Sequence, residues 1–142
     1  MSIKIDLDGK NVLITGANGS IGTEIVFKFL QAGANCLCVD KNLKELKKLT
    51  SKKKFFQKLT FLEIDFEKKN LKENFLKNFK KKIKIDILIN NAGFSSSKKF
   101  LKYTLNDWRK TLEINLTSPF IFSQLVAKKF MLSGGSIINI TS

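Results

Sequence analysis

An apolar run leads directly into a glycine-rich turn in the stretch Asn11-Val12-Leu13-Ile14-Thr15-Gly16-Ala17-Asn18-Gly19-Ser20-Ile21-Gly22. Its apolar start predicts a strand buried on both faces, and a helical pattern follows at once in Ile21, Ile25, Phe29 and Leu30. Gly16 can turn the chain out of the strand, Gly19 can let the backbone approach a ligand, and Gly22 can pack the helix closely on the sheet. Because the first amides of a helix have no partner within it, this turn predicts a phosphate site. The alternative is a turn of the same spacing that binds nothing.

An acidic residue stands where a dinucleotide site needs one. Residues 34–39 predict a second strand, and Asp40 stands at its carboxyl end. A carboxylate about 20 residues beyond the turn can accept hydrogen bonds from both hydroxyls of an adenosine ribose. The alternative is that Asp40 only caps the helix that begins near Asn42.

Further strands and helices alternate along the chain. Residues 60–64, 86–89 and 136–141 predict strands, and Thr104 to Asp107 has the character of a capping box. Pro119 predicts a kink in the last helix, or the end of its first half. Apolar residues at helical spacing predict three helices: Leu43, Leu46 and Leu49; Leu71, Phe75 and Phe79; and Trp108, Leu112, Leu116 and Phe120.

This alternation predicts parallel pairing with right-handed crossovers. The predicted fold is α/β: one domain over residues 1–142, built on a doubly wound Rossmann-type parallel sheet of five strands with helices on both faces. In such a sheet ligands bind beyond the carboxyl ends of the strands. The small or polar residues predicted at that edge are Thr15 to Gly22, Asp40, Asp65, Asn90 to Gly93 and Ser142.

The charge of the chain does not favour a nucleic-acid partner. Lys and Arg number 26 against 12 Asp and Glu, which gives a net charge of +14. Arg109 is the only arginine, although arginine is the residue that base readout and bidentate phosphate contacts favour. The lysines fall mostly on polar faces and loops, so a solvated lysine surface is expected.

Composition also bears on metals and membranes. Cys36 and Cys38 lie two apart on one strand and predict buried free thiols, and without any histidine no metal site is expected. No segment reaches the ~18 apolar residues of a membrane span, and the amino terminus lacks an apolar run of signal-peptide length. We therefore expect a cytoplasmic protein without a membrane partner.

Together these residues resemble the short-chain dehydrogenase/reductase family over essentially the whole chain. The resemblance lies in the turn from Thr15 to Gly22, in Asn90-Asn91-Ala92-Gly93, in Ile114-Asn115-Leu116-Thr117 and in the strand ending Ile137-Ile138-Asn139-Ile140-Thr141-Ser142. The turn departs from the usual pattern, because Ser20 stands where glycine is commonest and Gly19 gives a spacing seen in a longer-chain branch. The other motifs favour the shorter branch.

The resemblance implies an oxidoreductase that transfers hydride between NAD(P) and a carbonyl or hydroxyl group of a small-molecule substrate. Asp40 would hold the adenosine ribose and favour NAD, although Lys41 could accept the phosphate of NADP. Asn115 would help hold a water in a proton relay, and Ser142 would hydrogen-bond the substrate oxygen. The remaining residues implied in cofactor binding are Thr15, Gly16, Asn18, Gly19, Ser20, Ile21 and Gly22 for the pyrophosphate, Asp65 and Phe66 for the adenine, and Asn91, Ala92 and Gly93 for the rest.

One family element is missing from these residues. The Tyr-x-x-x-Lys pair that moves the proton is expected about a dozen residues beyond the serine, and the only tyrosine, Tyr103, has no lysine four residues later. We therefore expect the front portion of an oxidoreductase, without its last strands and inactive alone, whose complete form is a homodimer or homotetramer joined through the long helix. The alternatives are a non-catalytic dinucleotide-binding module and a lysine-rich nucleic-acid binder.

Overall fold

Five parallel strands form one sheet in the computed structural model, which describes residues 5–80 and 83–141. In sheet order they are β3 (Leu59–Glu63), β2 (Asn35–Asp40), β1 (Asn11–Thr15), β4 (Ile87–Asn90) and β5 (Ser136–Asn139). The chain moves outward from β1 to β3 and then returns to the other side of β1. The crevice between the carboxyl ends of β1 and β4 is therefore the switch point where such sheets bind ligands.

Helices cover both faces of this sheet. They are α1 (Ser20–Gln31), α2 (Lys44–Thr50), α3 (Leu71–Asn78), α4 (Leu105–Leu112) and α5 (Ser118–Phe130). Val12 and Ile14 of β1 pack on the side of α1 and α2, whereas Leu13 packs on the side of α3 and α5. This alternation explains why the strand is apolar on both faces, and it confirms the predicted doubly wound α/β fold.

The strand predictions hold within one or two residues, and the two thiols lie where they were expected. Cys36 and Cys38 are buried and free in β2. Burial raises the pKa of the Cys36 thiol to about 12, because the surrounding apolar side chains disfavour the thiolate. Both thiols are therefore packing residues.

The inward face of α1 agrees with the predicted stripe except at Ile21, since Leu30 is buried and Ile25 and Phe29 are partly buried against the same core. Gly22, Val26 and Leu30 are its buried residues, whereas Ile21 is 59% exposed. Gly22 fixes this phase, because its lack of a side chain brings the helix closest to the sheet at that position. In α2 the prediction for Leu49 is also wrong: Leu46 is buried, but Leu49 lies on the outer face.

The long helix is interrupted before Pro119. One turn of π-helix, Glu113–Thr117, separates α4 from α5, and Pro119 stands in the first turn of α5, directly after this turn. The predicted capping box is present at the start of α4, with Asp107 N–H donating to Thr104 Oγ1 over 3.1 Å and Thr104 N–H donating to Asp107 Oδ2 over 3.0 Å. A hydrogen bond from Lys98 keeps the pKa of the Asp107 carboxyl well below its usual range.

The predicted apolar stripe of this helix faces outward, away from the sheet. Its exposed fractions are 53% at Trp108, 36% at Leu112, and 64% at both Leu116 and Phe120. The inner face is formed by Ile114, Ser118, Phe122, Leu125 and Val126. The periodicity was correct, but it gave no information about which face meets the sheet. The α3 stripe of Leu71, Phe75 and Phe79 is buried as predicted.

Candidate functional site

A cleft of about 360 Å³ opens at the carboxyl edge of the sheet, over the switch point between β1 and β4. Its walls come from the turn after β1 and from the segments that follow β2, β3 and β4. The lining residues are Gly16, Gly19, Ser20, Ile21, Gly22, Asp40, Lys41, Asp65, Phe66, Glu67, Asn91, Ala92, Gly93, Phe94 and Ile114. Segments that are far apart in sequence therefore meet around one cavity, as parallel strand ends require.

Two of the three glycines in the turn are required by the fold itself. Gly16 has φ +64°, and a Cβ there would lie 2.7 Å from Ala92 Cα. A Cβ on Gly22 would lie 2.0 Å from the Gly16 carbonyl oxygen and 2.9 Å from Ala17 Cα. All three contacts are with backbone atoms, which cannot rotate away. These glycines allow the turn, α1 and the loop after β4 to pack together.

Gly19 has no such role in packing. Its φ of −72° suits any residue, and a Cβ there would find its nearest neighbour, the Gly16 carbonyl oxygen, at 3.4 Å. Since Gly19 lines the cleft, a side chain at this position would enter the cavity instead of the protein. The space next to the Gly19 backbone is therefore part of the cavity.

The amino terminus of α1 faces the same cavity. Gly19 is its N-cap and provides no side-chain cap, and none of the residues in the first turn is acidic. The early amides of a helix lack partners within the helix, and its dipole adds partial positive charge there. With Ser20, Ile21 and Gly22 lining the cleft, this end of α1 can hold an anion such as a pyrophosphate.

Thr15 and Asn91 join the turn to the loop after β4. The buried Thr15 hydroxyl accepts hydrogen bonds from the N–H groups of Asn91 and Ala92, each over 3.0 Å. The Asn91 amide in turn donates to the carbonyl oxygens of Thr15 and Gly16, each over 3.1 Å. Thr15 therefore lies behind the cleft wall, where it fixes the shape of the wall.

Asp40 lines the cleft and also braces the turn. Its Oδ2 accepts a hydrogen bond from Asn18 N–H over 3.0 Å. The Asn18 side chain faces α2, where its Oδ1 accepts a hydrogen bond from Leu46 N–H over 2.7 Å. The alternative that Asp40 caps the next helix is wrong, because α2 begins at Lys44, whose N–H is bonded by Asn42 over 2.9 Å. A carboxylate has about four acceptor positions, so Asp40 retains capacity for ligand hydroxyls.

The segment after β3 forms a further wall. Asp65 Oδ1 accepts a hydrogen bond from Glu67 N–H over 3.0 Å, which closes a tight turn. Phe66 is buried against Phe122, and its carbonyl oxygen accepts from the Ser118 hydroxyl over 3.1 Å. The position of Asp65 at the cleft is thus set by a packed ring and by α5.

Of the two residues predicted as catalytic, Asn115 and Ser142, the structure describes only Asn115. Asn115 lies in the π-helical turn, where its Oδ1 accepts from Phe94 N–H over 2.7 Å and its Nδ2 donates to the Phe94 carbonyl over 2.8 Å. It fixes the loop after β4 and does not line the cleft. Ser142 lies outside the described residues. Tyr103 contacts Thr111 and does not line the cleft either.

The sequence prediction did not assign Glu67, Phe94 or Ile114 to the cleft. Each directly adjoins a residue that was assigned: Phe66, Gly93 or Asn115. Their position next to a motif at a strand end was the available signal. In the described part of the chain, no three His, Cys, Asp or Glu side chains form a group that could hold a metal ion. Over the same residues, no helix combines the length and apolarity needed to cross a membrane.

Comparison with known proteins gives one family. The model of the short chain dehydrogenase family matches residues 10–142. A short chain dehydrogenase/reductase of Gibberella zeae is 34% identical over 96% of this chain and 52% of its own length. The 3-oxoacyl-(acyl-carrier-protein) reductase FabG of Aquifex aeolicus is 31% identical over 99% of this chain and 58% of its own length.

A solved structure agrees with these relatives in sequence and in fold. The 4-hydroxyisoleucine dehydrogenase complexed with NADH superposes with a TM-score of 0.81 at 31% identity, over 94% of this chain and 55% of that one. The chain thus spans somewhat more than half the length of the curated relatives that it matches. The match of the family model to residues 10–142 shows that the chain belongs to the short chain dehydrogenase family.

Proposed function

We propose that the cleft binds NAD(P) and that the chain is the cofactor-binding part of an oxidoreductase. The observation that carries this proposal is the convergence on one cavity of an uncapped helix amino terminus, an open Gly19 and the Asp40 carboxylate. Two family members of known structure are complexed with NADH and with NADP⁺, namely 4-hydroxyisoleucine dehydrogenase and serine dehydrogenase. When bound, the cofactor would supply or accept the hydride.

We assign each wall of the cleft to one part of the dinucleotide. Gly16 and the segment from Gly19 to Gly22 hold the pyrophosphate, and Asp40 holds the adenosine ribose. Asp65 and Phe66 face the adenine, and Asn91 to Gly93 face the rest of the dinucleotide. Thr15 and Asn18 act from behind, because their side chains fix the turn and α2.

These residues include only some of the groups that would act on the substrate. We propose that Ser142 hydrogen-bonds the oxygen of a carbonyl or alcohol substrate and that Asn115 supports proton transfer while it holds the Phe94 backbone. The 142 residues contain no Tyr-x-x-x-Lys motif. Since general acid–base catalysis contributes about 10²- to 10⁴-fold, we expect this chain to bind dinucleotide without measurable turnover.

Asp40 is the residue that we expect to select NAD over NADP. Its carboxylate can accept from a free 2′-hydroxyl and repels a 2′-phosphate at close range. Replacing it in Asp40→Asn keeps an oxygen for Asn18 N–H but removes the charge. We expect this variant to bind NADH about tenfold more weakly, because it loses a charge-assisted hydrogen bond, and to bind NADPH more tightly.

Fluorescence titration of wild type and Asp40→Asn with NADH and NADPH measures both effects and tests the proposed function. Asp6→Asn removes the same charge near the amino terminus, away from the residues that line the cleft, and should behave as wild type. Equal NADH affinity in wild type and Asp40→Asn would contradict the assignment of Asp40. Failure of the wild-type chain to bind either dinucleotide would contradict the proposed function itself.

We also propose that the protein forms a homodimer or homotetramer through its long helix. Support comes from the outward apolar stripe of Trp108, Leu112, Leu116 and Phe120, which a second copy would cover.

The buried free thiols Cys36 and Cys38 fit a reducing compartment, and we propose that the protein works in the cytoplasm.

Charge placed in the apolar stripe should dissociate the assembly. We expect Leu116→Glu and Phe120→Glu to sediment as monomers, because association would bury an unpaired carboxylate. Leu132→Glu provides the control, since Leu132 is 84% exposed and lies outside the stripe. Sedimentation velocity makes the comparison. A monomeric wild type, or a stripe variant that still associates, would contradict the proposed interface.

A further inference from the structure

One lysine outside the cleft contacts two residues that line it. Lys110 Nζ lies 2.8 Å from Glu67 Oε1 and 4.5 Å from the centroid of the Phe94 ring. Lys110 belongs to α4, whereas Glu67 follows β3 and Phe94 follows β4. A single ammonium group therefore joins two walls of the cleft through an ion pair and a cation–π contact.

The helix presents Lys110 from a fixed position. The capping box of Thr104 and Asp107 defines the start of α4, which begins at Leu105 in the same helix as Lys110. Farther along the same helical run, Asn115 holds both backbone groups of Phe94. The loop after β4 is thus held at its backbone by Asn115 and at its ring by Lys110.

The pairing also changes the charge that the cleft presents. Among the residues that the structure describes, three with carboxylates line the cleft, namely Asp40, Asp65 and Glu67, together with one lysine, Lys41. A pyrophosphate is anionic, so an unpaired Glu67 carboxylate at the wall would repel it. The ammonium group of Lys110 offsets that charge from outside the cavity.

We propose that Lys110 is a positioning residue of the dinucleotide site. It fixes Glu67 and Phe94 relative to each other and offsets the charge of Glu67, and it touches no cofactor itself. This inference rests on the proposed dinucleotide binding and adds to it a residue that controls affinity from behind two walls.

Four variants test the proposal by fluorescence titration of the 142-residue chain with NADH: Lys110→Met, Lys110→Arg, Glu67→Gln and the double variant Lys110→Met/Glu67→Gln. We expect Lys110→Met to weaken binding about fivefold. Lys110→Arg should restore it to within about twofold, because a guanidinium group pairs with carboxylates and stacks on rings. The double variant should recover part of the loss, because Glu67→Gln removes the repelling charge, and added salt should reduce the loss in Lys110→Met.

Lys129→Met provides the matched control. It removes one positive charge from an exposed lysine near the end of α5 and should bind NADH as wild type does. If wild type binds NADH and Lys110→Met binds as tightly as Lys129→Met, the role of Lys110 is disproved while the proposed function stands. A loss in Lys110→Met that neither arginine nor Glu67→Gln reduces would also overturn the proposal. If wild type binds no NADH, the proposed function fails first, and the inference fails with it.

Discussion

Gly22→Ala is expected to destabilise the chain by about 3 kcal/mol, because overpacking against atoms that cannot move aside costs roughly this much. The added Cβ would lie 2.0 Å from the Gly16 carbonyl oxygen and 2.9 Å from Ala17 Cα, both of them backbone atoms. To relieve these contacts, α1 would have to move off the sheet and lose the packing of Val26 and Leu30. Because the free energy of unfolding of a domain is usually about 5 to 15 kcal/mol, this change would remove a large part of it.

Urea unfolding followed by circular dichroism measures this difference. Gly19→Ala is the matched control, since it makes the same change three residues earlier, where the nearest atom to the new Cβ is at 3.4 Å. Its stability should fall by no more than about 1 kcal/mol, the cost of placing alanine instead of glycine at the N-cap of α1. Equal unfolding midpoints for the two variants would contradict the distinction between a glycine that the fold needs and one that it does not need.

Local sequence was sufficient for much of this fold. The turn from Thr15 to Gly22 and the alternation of strands with helices are short-range patterns, and the handedness of crossovers then leaves few arrangements for the sheet. The residues at the carboxyl edge met around one cleft because parallel strand ends share an edge. Among them are Asp40, Asp65 and the segment from Asn91 to Gly93.

The parts that could not be predicted depend on contacts distant in sequence. The stripe from Trp108 to Phe120 has helical spacing, but periodicity only reports that a face is apolar and does not say what covers it. Asn18 and Asn115 were assigned to the site from motif position, yet their amides satisfy backbone groups of Leu46 and Phe94. The contacts of Lys110 with Glu67 and Phe94 join residues far apart in sequence, so no local sequence pattern predicts them.

Gly19→Val is expected to weaken NADH binding at least about 100-fold, a loss of about 2.7 kcal/mol. Gly19 is extended, at φ −72° and ψ 165°, which a β-branched residue adopts without strain. A valine side chain there would occupy the part of the cleft next to the first turn of α1. It would keep the pyrophosphate from the helix amides, so the variant should fold and yet lose the contacts that favour an anion.

Gln31→Val serves as its control, because it places the same side chain at the exposed far end of α1. The variant should retain the NADH affinity of wild type. Circular dichroism of both variants checks that the fold is kept. If Gly19→Val folds and binds as tightly as Gln31→Val, the turn does not hold the ligand.

Titration of the ¹⁵N-labelled chain with NADH, followed amide by amide in NMR spectra, would show whether this cleft binds a dinucleotide. We expect saturable shifts in the amides of Gly16 to Gly22 and of Asn91 to Gly93 in wild type and Gln31→Val, and their loss in Gly19→Val. Absence of saturable shifts in wild type, or shifts confined to the opposite, amino-terminal edge of the sheet, would contradict the claim that this cleft is a dinucleotide site.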